Sequence, residues 1–199
     1  MSDPDFHVSN KLTTVQQRVA AVQAAFDARG LLDGNALSQL EHATLEEWIP
    51  LNGARIVAKA WSDAGFRDRL LSHGRAAIDE MNFPMPQHHR HVVALENTPT
   101  LQNVVCCTLC SCTPFTIIGV PPDWYKDLEY RARVVRQSRT VLKEMGLDLP
   151  PEVEIRVWDT TADTRYLVIP VRPMQTQDWS EADLAKIVTR DGMIGVALI

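Results

Sequence analysis

The 199 residues, 45% hydrophobic and 23% charged, suffice for one ordinary domain and a short appendage. Twenty basic residues against 25 acidic ones leave a formal charge of −5, which argues against a nucleic-acid or anionic-membrane binder, since both need a basic face. No apolar run approaches the roughly 18–20 residues of a membrane span, and the polar, acidic residues 1–10 carry no signal pattern, so a cytoplasmic protein is expected.

In chain order, the first expected unit is a helical arm, residues 1–51. Leu12, Val15, Val19, Val22 and Phe26 repeat at helical spacing from about Lys11, and Gly30 is placed to stop that helix. A second helix over about 35–47 carries Leu37, Leu40 and Leu45. The arm has too few large apolar residues for a core of its own. Periodicity leaves two readings open: an arm packed on the main domain, or one that clasps a partner.

The remaining residues, 52–199, are expected to form one globular domain. Residues 54–60 and 66–80 read as helices, and Pro84, Pro86 and His88, His89 and His91 mark a loop. Residues 91–95 and 101–106 read as short strands around a turn at 97–100. After the cysteines, 116–120 reads as a strand ended by Pro121 and Pro122. Pro122 suits the start of a helix reaching about Met145, with Gly146 beyond it. Residues 153–158 and 165–169 read as strands, residues 180–190 as a capped helix and residues 194–198 as a last strand. Helices and strands are interspersed, so the expected class is α+β, an arm followed by a layered α/β domain.

All four cysteines fall within seven residues, Cys106 to Cys112. A secreted disulfide framework spreads its cysteines along the chain, so this is chemistry at one spot. Cys107, Cys110 and Cys112 stand at i, i+3 and i+5. With only Ser111 between the last two sulfurs, one metal can collect both only if the backbone bends tightly. The amide nitrogens of Ser111 and Cys112 then face the metal as well. Three sulfurs and two deprotonated amides make five strong donors and one open position, a set suited to Co(III) or Fe(III). An open position marks a catalytic metal. A tetrahedral zinc site needs a fourth protein ligand, which His88, His89 or His91 would have to supply, and that alternative stays open. If the strand alternates, Cys106 points away from Cys107 and packs in the core.

The run Cys107-Thr108-Leu109-Cys110-Ser111-Cys112-Thr113-Pro114 resembles the metal claw of nitrile hydratase α subunits, with similar motifs in the thiocyanate hydrolase γ subunit and toyocamycin nitrile hydratase. Asn52 to Trp61, Pro121 to Lys126, Tyr130 to Arg136 and Val188 to Asp191 extend the resemblance to about residues 35–199. It implies an α-subunit fold of arm and layered domain, paired with a β subunit as a heterodimer or heterotetramer. It implies that Cys107 stays a thiolate while Cys110 becomes a sulfinate and Cys112 a sulfenate, with arginines of the β subunit bonded to their oxygens. Thr108 is the residue of cobalt members, where iron members have serine, while Thr113 stands where cobalt members often carry tyrosine. The implied cofactor is therefore non-corrin Co(III), with Fe(III) as the alternative. The implied reaction is hydration of a small-molecule nitrile to its amide by a lyase, with Cys110, Ser111 and Cys112 at the reacting centre. Thiocyanate hydrolysis on the same claw is the alternative activity, and a metal carrier or structural zinc subunit the alternative class.

Three places depart from the family pattern. Phe115 and Thr116 stand where relatives have tryptophan and proline, the tryptophan lining the substrate pocket. The family's glutamine near the active site has its counterpart in Gln87 only if one residue is inserted; otherwise His88 takes the place. Val171 to Thr176 lacks the glycine of relatives, which implies a changed turn.

Overall fold

The computed structural model describes residues 14–31, 33–83 and 85–199. The chain divides into two compact units, the break falling between Ala43 and Thr44.

The first unit contains α1 (Val15–Asp27) and α2 (Gly34–His42). Thr14 caps α1 with a reciprocal pair: its hydroxyl accepts from Gln17 N at 3.2 Å, and Gln17 Oε1 accepts from Thr14 N at 2.9 Å. The expected start near Lys11 lies outside the described residues. The expected stop holds, as Gly30 takes a positive φ of 63° just past the helix. Neither helix buries a residue, and Val15, Val19, Val22 and Phe26 lie exposed along α1. A π-helical turn, Ala43–Glu47, follows α2.

The second unit is built around α3 (Pro50–Ser62), which buries Gly53, Ala54, Ile56, Val57, Ala58 and Ala60. Pro50 starts it, since proline's missing N–H costs nothing in a first turn. Then come α4 (Ala64–Ser72) and α5 (Gly74–Asp79), where one helix was expected over 66–80. The chain breaks at His73, and a Cβ on Gly74 would strike the Val92 carbonyl.

Four strands follow: β1 (His91–Glu96), β2 (Leu101–Cys106), β3 (Glu154–Asp159) and β4 (Thr164–Ile169). The turn at 97–100 forms, with an antiparallel bridge between Thr98 and Leu101. Yet β1 pairs in parallel with β4, and β2 in parallel with β3. The β2–β3 register sets Leu101 opposite Glu154 and Cys106 opposite Asp159. A parallel return needs a long crossover. Here it contains the cysteine cluster and four short helices: α6 (Phe115–Ile118), α7 (Asp123–Lys126), α8 (Leu128–Val134) and α9 (Ser138–Glu144). A 3₁₀ turn (Met174–Thr176), α10 (Glu181–Ile187) and α11 (Arg190–Ile194) complete the fold. The α3 helix packs on α6, α10 and α11, and α11 packs on β2 and β4. The class is α+β, as expected.

Three local expectations are corrected. Residues 116–120 form no strand: Thr116, Ile117 and Ile118 are buried in the helical turn α6, which Gly119 ends at φ 77°. A short apolar run looks alike in either conformation. The helix expected over 122–145 is three helices, because the Asp127 carboxylate caps a new start, accepting from Glu129 N at 2.7 Å and Tyr130 N at 3.1 Å. The expected last strand is absent. Thr189 caps α11 by accepting from Gly192 N at 3.1 Å, and Gly195 closes that helix in the left-handed region at φ 92°. No described helix is long and apolar enough to cross a membrane.

Gly195 is required twice over, because a Cβ there would also collide with the Asn103 carbonyl on β2. Gly146 has a similar φ of 96° but open space around it. Gly146→Ala should therefore cost only the left-handed penalty, about 1–2 kcal/mol. Gly195→Ala should cost more, about 3 kcal/mol or above, because backbone must also move. Urea unfolding of the two variants checks the order.

Candidate metal centre

The β2 strand delivers the cysteine cluster to the surface. Cys106, its last residue, is fully buried, and burial pushes its thiol up to about 12. That suits a packing residue. Cys107 follows at 2% exposure, Cys110 is exposed, and Ser111 and Cys112 are half-buried. The sulfurs of Cys107 and Cys110 lie 3.2 Å apart and those of Cys110 and Cys112 2.9 Å apart, and all three fall within 4.8 Å of one another. The Cys110 amide also donates to the Cys107 sulfur at 3.2 Å, so the loop is already bent inward on that sulfur.

These spacings test which metal geometry the claw suits. With metal–sulfur bonds of about 2.3 Å, two sulfurs at a right angle sit about 3.3 Å apart and two at the tetrahedral angle about 3.8 Å apart. The 3.2 and 2.9 Å pairs are closer to the right-angle value. Two of the three sulfur pairs therefore lie nearer the spacing of an octahedral ion than that of tetrahedral zinc.

Side chains from the surrounding elements hold the claw loop. Thr108 donates to the Asp159 carboxylate through its amide at 2.9 Å and its hydroxyl at 2.5 Å. Arg131 from α8 donates to the Cys110 carbonyl at 3.0 Å, and Tyr125 from α7 donates to the Cys112 carbonyl at 3.1 Å. Tyr130 anchors the preceding strand by donating to the Val105 carbonyl at 3.1 Å. Burial raises the pKa of both tyrosines, so they act as neutral donors.

The thiols differ in acidity. Burial opposes ionisation of Cys107, but the neighbouring polar groups of Thr160, the Cys112 backbone and Cys110 outweigh it and bring the pKa down to about 7. Burial and the bond with Cys110 push Cys112 up to about 12, against the pull of Arg165. Arg165 is itself buried and donates to the Thr161 and Thr164 carbonyls, so it sets a fixed positive charge beside the claw.

The three departures from the family pattern fall as follows. Phe115 is half-buried, its ring 4.9 Å from Trp48 and 5.0 Å from His89. Thr116 is buried and directs its hydroxyl to the Met85 sulfur at 3.2 Å. Gln87 lies exposed on the turn before β1, and among the described residues nothing joins it to the claw. Within 171–176, Arg172 ties the 3₁₀ turn to α3, donating to the Thr176 and Trp61 carbonyls at 2.6 and 3.0 Å.

The sequence pattern gave Asp159, Thr160, Arg165 and Trp48 no role at the site. The strand pattern at 101–106 and 153–158 was visible, but only the parallel register shows that Asp159 ends beside Cys106. A cavity of about 520 Å³ lies among α7, α8 and α9, lined by Trp124, Tyr130 and Met145 and by no cysteine. The claw opens outward instead, with Leu109 88% exposed.

A mixed domain presenting three convergent thiols on a parallel crossover belongs to the class of metal-claw subunits. A family model described as "Nitrile hydratase, alpha chain" matches residues 13–197, and the chain belongs to that family. It is 45% identical over 184 residues to a low-molecular-weight cobalt-containing nitrile hydratase subunit alpha of Rhodococcus rhodochrous, covering 92% of this chain and 88% of that one. It is 41% identical to the thiocyanate hydrolase subunit gamma of Thiobacillus thioparus, covering 84% of this chain and 74% of the relative. Among solved structures, a double histidine mutant of the Fe-type nitrile hydratase from Comamonas testosteroni Ni1 superposes with a TM-score of 0.89 at 57% identity, covering 92% of this chain and 89% of that one.

His89 offers a test of the electrostatics around the site. It is fully buried with both ring nitrogens unpartnered, and burial, aided by the charge of Arg165, lowers its pKa to about 4. The unfolded chain takes up this proton below about 6.5, the folded chain only near 4. The stability tied to neutral His89 is therefore present above pH 6.5 and lost as pH falls towards 4, by about 2 kcal/mol. His89→Gln should flatten that part of the stability profile, measured by denaturant melts at pH 7 and 4.5.

Proposed function

We propose that this chain is the metal-binding subunit of a nitrile hydratase, which converts a small nitrile to its amide. The observation that carries the reading is the convergence of the Cys107, Cys110 and Cys112 sulfurs to within 4.8 Å of one another in a chain of this family. The ligands would be the three sulfurs with the backbone nitrogens of Ser111 and Cys112. A trivalent ion held there would supply Lewis-acid polarisation of the carbon–nitrogen triple bond. Either cobalt or iron suits the donors. Thr108 and the cobalt-containing relatives support cobalt, and the Fe-type structure at 57% identity supports iron.

The chain's own residues prepare the site around that ion. Cys110, the exposed thiol, is the sulfinate, Cys112 the sulfenate, and Cys107 the remaining thiolate. The attacking oxygen comes from water or from the oxidised Cys112 side chain. Phe115, backed by Trp48 and His89, forms an aromatic wall, while Thr116 and Gln87 complete the pocket only if a partner or substrate draws them in. Ser111, half-buried between Cys110 and Cys112, offers its hydroxyl to the same centre.

The open claw supports a β partner. Hydration chemistry on a polarised nitrile calls for a site closed to bulk water, and Cys110 and Leu109 are exposed. The β subunit supplies that cover and arginines for the sulfur-bound oxygens. The exposed row Val15, Val19, Val22 and Phe26 on α1 suits a clasp on that subunit, in a cytoplasmic heterodimer or heterotetramer. The thiocyanate hydrolase relative keeps thiocyanate as the alternative substrate.

The purified complex, co-expressed with its partner, should hold about one cobalt or iron per claw, by elemental analysis. Zinc alone would overturn the reading. Cys112→Ser should lower nitrile turnover by a factor of about 10³ or more. A screen in which thiocyanate is consumed and nitriles are not would select the alternative.

A further inference from the structure

The claw alone does not set the size or shape of the nitrile, but an aromatic wall stands close to it. Phe115 follows Cys112 with only Thr113 and Pro114 between them, both buried. Three steps of chain hold the two Cα atoms within about 11 Å of each other. The linking segment is fixed at both ends. The Tyr125 hydroxyl donates to the Cys112 carbonyl at 3.1 Å, and Ile117 N donates to the Pro114 carbonyl at 2.9 Å. Phe115 is half-buried, and so is the ring laid against it, Trp48, at 4.9 Å between centroids and 57° between planes. The His89 ring meets Phe115 at 5.0 Å and 75°.

Trp48 lies far from Phe115 along the chain, and three contacts seat its segment on α6. The Asn52 amide, in the first turn of α3, donates to the Glu47 carbonyl at 2.7 Å and to the Thr116 carbonyl at 3.1 Å. One side chain thus joins the residue before Trp48 to the residue after Phe115. Gly119 closes α6 against Pro50 and the Trp48 carbonyl, and a Cβ on Gly53 would strike the Ile117 carbonyl. Backbone packed this closely leaves the two rings little freedom to part.

We propose that Trp48 is a specificity-determining residue, held on Phe115 by the positioning residue Asn52, and that the wall they form selects nitriles with a flat aromatic substituent. This rests on the reading that the claw hydrates nitriles and that Phe115 faces its substrate. Two half-buried rings inclined at 57° form an apolar corner. An aryl group set into that corner stacks on one ring and meets the other at an angle, whereas a short alkyl chain covers little of either. Ring pairs of this kind contribute beyond the area they bury.

The test uses the complete complex carrying Trp48→Ala, Trp48→Phe, Asn52→Ala or the natural residues, at equal metal content. Steady-state kinetics with benzonitrile and propionitrile give KM and kcat for each. The natural protein should have the lower KM for benzonitrile. Trp48→Ala should raise the benzonitrile-to-propionitrile ratio of KM about tenfold, the change falling on KM more than on kcat. Trp48→Phe, which keeps a ring, should raise it about threefold. Asn52→Ala should raise the ratio as well, because the indole is released from Phe115; a role in stability alone would slow both nitriles together. Trp48→Ala that shifts both KM values by the same factor overturns the proposal, and an unchanged ratio in Asn52→Ala overturns the assignment of Asn52. If Trp48→Ala fails to assemble, Trp48→Phe decides: a raised ratio supports the proposal and an unchanged one overturns it. A natural complex that hydrates neither nitrile would instead remove the reading on which the proposal rests, and the proposal with it.

Discussion

Parallel pairing of β2 with β3 governs the site. The register that sets Cys106 against Asp159 carries the chain out of the sheet at a point where the neighbouring strand also ends. Two strand ends side by side put Asp159 within reach of Thr108 and the Thr160 amide on the Cys106 carbonyl. An antiparallel return from β2 could close in a few residues. A parallel one needs a crossover, and the crossover is where the claw and its supporting helices are found. Ligand sites at the carboxyl ends of parallel strands are common for this reason.

The claw loop is short and exposed, so packing alone cannot set its shape. Hydrogen bonds to its carbonyls do much of that work, from Arg131 and Tyr125 on helices that Asp127 and the prolines at 121 and 122 divide into short segments. A single long helix over 122–145 would follow one axis. The broken arrangement turns Tyr125 and Tyr130 inward together, their rings 6.0 Å apart, and both reach backbone oxygens of the cysteine segment. Buried and neutral, these phenols donate without adding charge to a site already rich in thiols. The positive charge comes from Arg165, held by backbone carbonyls and kept from solvent.

Much of the fold was legible locally. The cap at Ser180, the stop at Gly30 and all four strands follow from residue type and short-range pattern. Where the reading failed, two conformations shared one pattern. The residues from Thr116 to Ile118 are apolar and buried on every side, which suits strand or helical turn equally. Asp127 carries a capping signal, but inside a continuous amphipathic stretch it looked like one more polar position. At the C-terminus, a left-handed glycine packed against Asn103 ends a helix where a strand pattern stood.

The cysteine spacing by itself marked the metal site. Donor type and the bend forced by a single intervening residue are properties of six consecutive residues, and they point to one metal held by Cys107, Cys110 and Cys112. Tertiary structure decided what surrounds those donors. Thr160, Asp159 and Arg165 lie some fifty residues away along the chain, and a polar residue in a distant turn has no local mark of its destination. The β2–β3 register brings Asp159 and Thr160 to the cysteine segment, and Arg165 comes from β4, which pairs with β1. Which thiol is buried, which is exposed and which is tied down are consequences of that long-range pairing.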